Sequence, residues 1–166
     1  MADIIWLCGR PSSGKTTLAQ GLIKLLHYKC ILLDGDEVRR VLSPDLRYTE
    51  KDRHKQMQRV ANIGYLINKS GVNAIICTCS PPSREDFENL QGYIEVYVKC
   101  SLSECERRDV KRLYKKARKG EINNMPGVDQ RYGEALCPDL IIDTEKNSPK
   151  KSINELYDKL IGLVLD

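Results

Sequence analysis

The sequence predicts an α/β fold, a three-layer sandwich in which a mainly parallel five-stranded sheet carries helices on both faces. Three observations predict it. Short apolar runs, each bounded by Gly, Pro, Ser or Asp, alternate with longer segments of helical periodicity. The order of strand and then helix repeats along the chain, which is typical of parallel sheets. The 166 residues, without a linker or a low-complexity tract, fit a single domain covering residues 1–166.

The individual elements follow from the same patterns. Helix starts are supported by capping residues, because Thr49 and Ser101 have an acidic residue three positions later and Ser148 precedes a proline. Residues 119–138 fit neither periodicity, and a loop of that length in a compact domain is usually functional or mobile, so we predict a mobile lid there. The predicted strands are 3–8, 30–34, 73–79, 93–100 and 139–143, and the predicted helices are 15–27, 49–70, 102–119 and 149–164.

Composition and charge limit the classes of function. The net charge is only +4, and residues 107–119 alone carry a local charge of +7, so the rest of the chain is slightly acidic. Seven cysteines without a C-x-x-C pair indicate reduced thiols in a cytoplasmic protein rather than disulfides or a zinc site. The apolar runs are far shorter than the roughly 20 residues that a membrane span needs. We therefore expect a cytoplasmic protein without a membrane partner.

A glycine-rich turn follows the first predicted strand and opens the first predicted helix. It matches the pattern G-x-x-x-x-G-K-[ST], whose backbone amides, helix N-terminus and lysine bind nucleotide phosphates while the hydroxyl binds Mg²⁺. The turn therefore predicts a P-loop NTPase-type fold with an ATP or GTP site. The residues of the turn are Gly9, Arg10, Pro11, Ser12, Ser13, Gly14, Lys15 and Thr16, followed by Thr17.

The residues around this turn favour a kinase that uses ATP. The guanine motif N-K-x-D is absent, because the run that begins at Asn68 lacks the aspartate, and the third strand ends without an acidic residue. Asp34 and Asp36 stand at the end of the second strand, at the sheet edge where open α/β folds bind ligands. One carboxylate is suited to the Mg²⁺ shell and the other to accepting a proton from an attacking hydroxyl. The alternative is a turn that only caps a helix starting near Glu37.

Further cationic side chains suggest an acidic acceptor. Arg39, Arg53 and Gln56 cluster within 20 residues of Asp36, and arginine forks suit phosphate, sulfate or carboxylate groups. In the predicted helix 102–119, Val110 and Tyr114 share an apolar face, and a second face is cationic. We interpret the cationic face as a clamp for the triphosphate and the acceptor. A solvated surface and a nucleic-acid-binding module remain as alternatives, and we expect no nucleic-acid partner. The cationic face contains Arg108, Arg112, Lys115, Lys116 and Lys119.

Nearly the whole chain resembles the adenylyl-sulfate kinase family. The resemblance lies in the runs GRPSSGKTTLA, LLDGDEVRR, LRYTEKDRHKQMQRV, CSPPSRED, RRDVKRLYKKARKGEI, PGVD and IIDTEKNSP. It implies ATP-dependent phosphorylation of the ribose 3′-hydroxyl of adenylyl sulfate in sulfate activation, with Mg²⁺ and a homodimer.

The resemblance also implies roles for single residues. Asp36 would be the base, Asp34 would support Mg²⁺, and Arg39 and Arg53 would hold the acceptor nucleotide. Ser80, followed by Pro81, would lie beside the acceptor, at a position sometimes described as a phosphoserine intermediate. Further roles fall to Lys15 at the phosphates, Arg108 at the ATP adenine, and Lys115 at the start of the lid.

Three departures from the family pattern concern the acceptor. The family usually has one aromatic residue on each side of the acceptor adenine, and this chain has Tyr48 on one side and Met125 on the other. Gln56 replaces an asparagine that normally contacts the acceptor, and SPPSRE stands where a serine-proline-tyrosine-arginine run is common. Replacing an aromatic partner by Met gives up about 0.5–1.5 kcal/mol of ring preference. A different acceptor, such as cytidine diphosphoramidate, therefore remains an alternative.

Overall fold

The computed structural model describes residues 3–82 and 93–165, with the side chains of 164 and 165 left aside. Five parallel strands form one sheet in the order β2-β3-β1-β4-β5. The strands are β1 Ile4–Cys8, β2 Cys30–Asp34, β3 Asn73–Thr78, β4 Ile94–Lys99 and β5 Leu140–Asp143. The helices are α1 Lys15–Leu25, α2 Gly35–Leu42, α3 Glu50–Lys69, α4 Leu102–Arg108, α5 Leu113–Arg118 and α6 Pro149–Leu165. The predicted sheet is confirmed.

Strand β1 lies at the centre of the sheet and contributes side chains to two hydrophobic cores. Successive side chains of a strand point to opposite faces, so Ile5 and Leu7 pack with α1 and α6, whereas Ile4 and Trp6 pack with α3. Fully burying one such side chain stabilises a fold by about 1.5–3 kcal/mol. The β1 backbone is thereby fixed just before the glycine-rich turn that follows it.

The capping residues predicted from the sequence do cap their helices. Thr49 accepts the Asp52 amide at 3.2 Å, Ser101 accepts the Glu104 amide at 3.2 Å, and Ser148 accepts an amide of α6 at 3.4 Å. Among the described residues, no helix is both long enough and apolar enough to cross a bilayer.

The predicted continuous helix 102–119 is wrong, because the chain breaks between α4 and α5. The Asp109 carboxylate accepts the amides of Tyr114 at 3.1 Å and Lys115 at 3.0 Å, and this local bonding ends one helix and starts another. Val110 lies in the break and is 83% exposed, so it does not share a buried face with Tyr114. The cationic side chains therefore do not form one straight stripe.

Candidate active site

The glycine-rich turn between β1 and α1 forms a closely packed loop. Ser12 and Gly14 have positive φ angles of 63° and 98°, which curl the backbone around the N-terminus of α1. A Cβ at Gly9 would stand 2.6 Å from the Val98 carbonyl oxygen, so only glycine fits there. The Lys15 ammonium donates to the carbonyl oxygens of Gly9 at 2.8 Å and of residue 10 at 2.7 Å, and so lies inside the loop. This geometry fits a cradle for nucleotide phosphates.

Two side chains from distant parts of the chain support the loop from outside. The Thr144 hydroxyl, just after β5, donates to the Ser13 carbonyl oxygen at 2.7 Å, and the Tyr114 hydroxyl donates to the Pro11 carbonyl oxygen at 3.1 Å. Arg108 donates to the Thr144 carbonyl oxygen at 2.7 Å, so the side chain predicted to contact adenine lies beside the loop. The sequence analysis missed Thr144 and the Tyr114 contact, because no local pattern reports such distant contacts.

Asp34 caps α2, as one of the two alternatives from the sequence has it, and its second carboxylate oxygen contacts the phosphate loop. One carboxylate oxygen accepts the Thr16 hydroxyl at 2.8 Å, and the other accepts the Asp36 amide at 3.0 Å as the N-cap of α2. The hydroxyl and the carboxylate are the hard oxygen ligands that Mg²⁺ prefers. Within residues 3–82 and 93–165, no group of three or more His, Cys, Asp or Glu side chains could hold a metal ion. Thr16 and Asp34 are the side chains that would hold Mg²⁺ at this loop.

Asp36, the second residue of α2, forms an ion pair that could not be seen in the sequence. The Lys111 ammonium, from the break between α4 and α5, donates to the Asp36 carboxylate at 2.5 Å. This hydrogen bond raises the pKa of Lys111 above its usual value. Both side chains are more than half exposed, so the pair faces the open edge of the sheet. A cation is thus placed on the carboxylate that the sequence identifies as the base.

Tyr48 and two arginines form the surface next to this pair. The Arg39 and Arg53 guanidinium groups lie 4.8 Å and 5.5 Å from the centre of the Tyr48 ring, which is half exposed. Burial lowers the pKa of Arg39. Gln56 is buried and donates to the Gly35 carbonyl oxygen at 3.3 Å. The structure thereby brings together three of the residues predicted to hold the acceptor, Arg39, Tyr48 and Arg53.

Four other predicted site residues have different surroundings. Ser80 and Pro81 follow β3 and are half-buried, and the Ser80 carbonyl oxygen accepts the Thr78 hydroxyl at 2.8 Å. Lys115 is exposed on α5. Met125 is only 5% exposed and packs against Cys100, Cys105 and Tyr114, instead of presenting an open face opposite Tyr48. The departure in SPPSRE begins at Pro82, which is buried, and continues into residues 83–85, which lie outside the described residues.

Comparisons with known proteins show which family the chain resembles. A family model described as adenylylsulphate kinase matches residues 1–143. The chain is 39% identical to the adenylyl-sulfate kinase of Oceanobacillus iheyensis, over 95% of this chain and 83% of that protein. It is 37% identical to the adenylyl-sulfate kinase of Pseudomonas aeruginosa, over 95% of this chain and 84% of that protein.

A solved structure extends the likeness to three dimensions. The APS kinase of Mycobacterium tuberculosis, solved in complex with AMPPNP and APS, superposes with a TM-score of 0.89 at 30% identity, covering 96% of this chain and 97% of that chain. The family match spans the glycine-rich loop, Asp34 and Asp36, and Arg39 and Arg53. This chain therefore belongs to the adenylylsulphate kinase family.

Proposed function

We propose that this chain transfers the γ-phosphoryl group of ATP to the ribose 3′-hydroxyl of adenylyl sulfate, giving 3′-phosphoadenylyl sulfate and ADP. One observation carries the proposal. The phosphate loop, the Thr16–Asp34 pair and the exposed Asp36 carboxylate lie in sequence along one sheet edge, beside the surface formed by Tyr48 and its two arginines. A donor phosphate and an acceptor hydroxyl would meet at Asp36.

The donor side depends on the loop and on its lysine. The loop amides and the N-terminus of α1 would hold the phosphates, and the Lys15 ammonium would exchange its contacts with carbonyl oxygens for the β- and γ-phosphate oxygens. Thr16 and Asp34 would hold Mg²⁺, which when bound neutralises charge on the phosphates. Arg108, fixed by Glu104 at 2.8 Å and by Thr144, would lie against the adenine.

On the acceptor side, Asp36 would accept the proton of the 3′-hydroxyl. The 3′-oxygen then forms a bond to the γ-phosphorus, and the bond from that phosphorus to the β–γ bridging oxygen breaks as ADP leaves. The Lys111 ammonium, held at Asp36 in the free enzyme, would offset negative charge on the phosphoryl group that is transferred next to Asp36. Tyr48 would stack on the acceptor base, with Arg39 and Arg53 on its acidic groups.

The decisive experiment measures ADP release with purified enzyme and two acceptors, adenylyl sulfate and cytidine diphosphoramidate. We expect turnover with adenylyl sulfate, whereas turnover with only the cytidine compound would reject the acceptor proposed here. Asp36→Asn should lower kcat by about 10²–10⁴-fold, the range for general base catalysis, with the KM for ATP nearly unchanged. Asp45→Asn is the matched control, because Asp45 is an exposed aspartate paired with Arg59 and should leave kcat unaltered.

Two further expectations belong to the same proposal, and one rival function stands against it. We expect the protein to act as a homodimer, which sedimentation of the purified chain would test. We expect it in the cytoplasm, which fractionation of cells would test. A nucleic-acid-binding module would instead bind random oligonucleotides in a salt-dependent way and release no ADP with either acceptor.

A further inference from the structure

Residues 124–132, here called the lid turn, are tied together by their own hydrogen bonds. The Asp129 carboxylate accepts the amides of Asn124 at 2.7 Å and Met125 at 2.5 Å. The Met125 carbonyl oxygen accepts the amides of residues 128, 129 and 130, and the Gly127 amide donates to the Gln130 carbonyl oxygen at 2.7 Å. A segment bonded in this way moves as one body rather than as a flexible strand.

Arg10, a residue of the phosphate loop, contacts the C-terminal end of this lid turn and a glutamate just beyond it. Its guanidinium lies 4.1 Å from the centre of the Tyr132 ring and 3.5 Å from the Glu134 carboxylate. A Cβ on Gly127 would come within 2.6 Å of Nη1, so the guanidinium lies directly against the backbone of the turn. These contacts surround one side of a cavity of about 410 Å³ between Arg10, Leu102 and the lid turn.

The guanidinium of Arg10 is largely removed from water. Its side chain is 15% exposed, and Nη1 is buried without a hydrogen-bond partner in the described part of the chain. A cation over an aromatic ring contributes about 0.5–1 kcal/mol at an exposed site and about 2 kcal/mol or more when the cation is desolvated. The contact with Tyr132 is therefore a substantial attachment between the loop and the lid turn.

The opposite end of the lid turn is attached to the acceptor side. Arg53 donates to the Asn124 carbonyl oxygen at 2.6 Å and to the Tyr48 carbonyl oxygen at 3.2 Å. The backbone of Arg10 meanwhile shapes the phosphate loop, because its carbonyl oxygen accepts both the Lys15 ammonium and the Ser13 amide. One rigid turn thus joins a residue of the donor loop to a residue of the acceptor surface.

We propose that Arg10 is a positioning residue that couples occupancy of the phosphate loop to the position of the lid turn, and through Arg53 to binding of the acceptor. This inference rests on the proposed function for the identity of the acceptor. A nucleotide that fixes the loop also fixes Arg10, and the lid turn then holds Arg53 in place at Tyr48. Coupling of this kind is reciprocal, so ADP raises acceptor affinity by the same factor by which the acceptor raises ADP affinity.

The first test is hydrogen exchange with ADP as the only ligand. Arg10→Met keeps a long apolar side chain and removes the guanidinium, and Tyr132→Leu removes the ring from the other side of the contact. Each should speed exchange of the lid-turn amides by about 3- to 30-fold, the range expected for a cation–π contact, while β1 and β3 exchange as in the unaltered enzyme. Arg131→Met, an exposed arginine of the same turn, is the matched control and should change nothing.

The double variant and the acceptor measurement complete the test. Because Arg10 and Tyr132 act through one contact, the double variant should exchange no faster than either single variant. The factor by which ADP tightens adenylyl sulfate binding should fall towards one in Arg10→Met. Unchanged exchange in the lid turn, or effects of the two variants that add in full, would overturn the proposal. Failure of the proposed function appears separately, as no turnover by the unaltered enzyme, and leaves the exchange result interpretable.

Discussion

Replacing Lys111 by methionine tests whether the ion pair at Asp36 contributes to catalysis or only to folding. Lys111 donates to the Asp36 carboxylate from a break between two helices, and a methionine keeps the apolar stem while removing the charge. The hydrogen bond raises the pKa of Lys111 from 10.5, so the ammonium stays charged throughout the neutral range. The variant therefore reports on a charge that no ordinary change of assay pH removes.

The expected magnitude separates the two roles. Both side chains are more than half exposed, at 59% and 69%, and an exposed ion pair contributes about 0.2–1 kcal/mol, or at most about fivefold in an equilibrium constant. A donor that stabilises charge in the transition state contributes about 2.7–4 kcal/mol, or 10²–10³-fold in kcat. Lys111 contacts Asp36, where the acceptor hydroxyl and the transferred phosphoryl group meet in the proposed function. We therefore expect the larger effect on kcat and the smaller effect on the free energy of unfolding.

The assay is steady-state ADP release together with urea unfolding of the same preparations. Lys159→Met is the matched control, because Lys159 pairs with Glu155 at 2.8 Å on α6 and is also partly exposed. The control should lower the free energy of unfolding slightly and leave kcat unchanged. If Lys111→Met kept kcat within fivefold of the unaltered enzyme, the catalytic reasoning would be refuted and the pair would be an ordinary surface contact.

Substitutions at three other positions test the supports of the site. Thr144→Val leaves the Ser13 carbonyl oxygen without its donor and should cost about 1–3 kcal/mol in urea unfolding and raise the KM for ATP, whereas Thr144→Ser should restore both. Met125→Ala should cost about 2–5 kcal/mol in the same unfolding assay because the side chain is buried, and Met125→Leu less than about 1.5. Hydrogen bonds from two arginines lower the pKa of Glu104 to about 2, so the stability it contributes is present above its usual value of 4.5 and lost as pH falls towards 2. Lowering the pH from 5 to 2 should therefore decrease the urea midpoint of Glu104→Gln less than the urea midpoint of the unaltered chain.

The strands could be predicted from the sequence because a strand that is buried on both faces is apolar at nearly every position. Strands of a parallel sheet covered by helices read as continuous apolar runs, and all five runs became strands whose ends differ by at most one residue from the prediction. The phosphate loop could be predicted for a similar reason, since its glycines, lysine and threonine are contiguous. In both cases the information lies within a few neighbouring residues.

The contacts that complete the site could not be predicted, because they join residues far apart in the chain. Lys111 and Asp36 are separated by 75 positions, and Thr144 and Ser13 by 131. The surroundings of Met125 could not be predicted for the same reason. The resemblance placed it opposite Tyr48 at the acceptor base, whereas packing with Cys100, Cys105 and Tyr114 decides where its side chain lies.

The break between α4 and α5 explains how Lys111 reaches the site at all. In a continuous helix, residue 111 would share a face with residues 107, 108 and 115, and would add to a cationic surface. Instead Arg112 takes a left-handed φ of 56°, which costs a non-glycine residue about 1–2 kcal/mol. The two amides held by the Asp109 carboxylate offset this cost, since a hydrogen bond to a charged group contributes about 1.5–3 kcal/mol. The same break directs the Tyr114 hydroxyl to the phosphate loop and the Lys111 ammonium to Asp36. One local departure from helical geometry therefore supports the proposed donor site and supplies a cation to the proposed acceptor site.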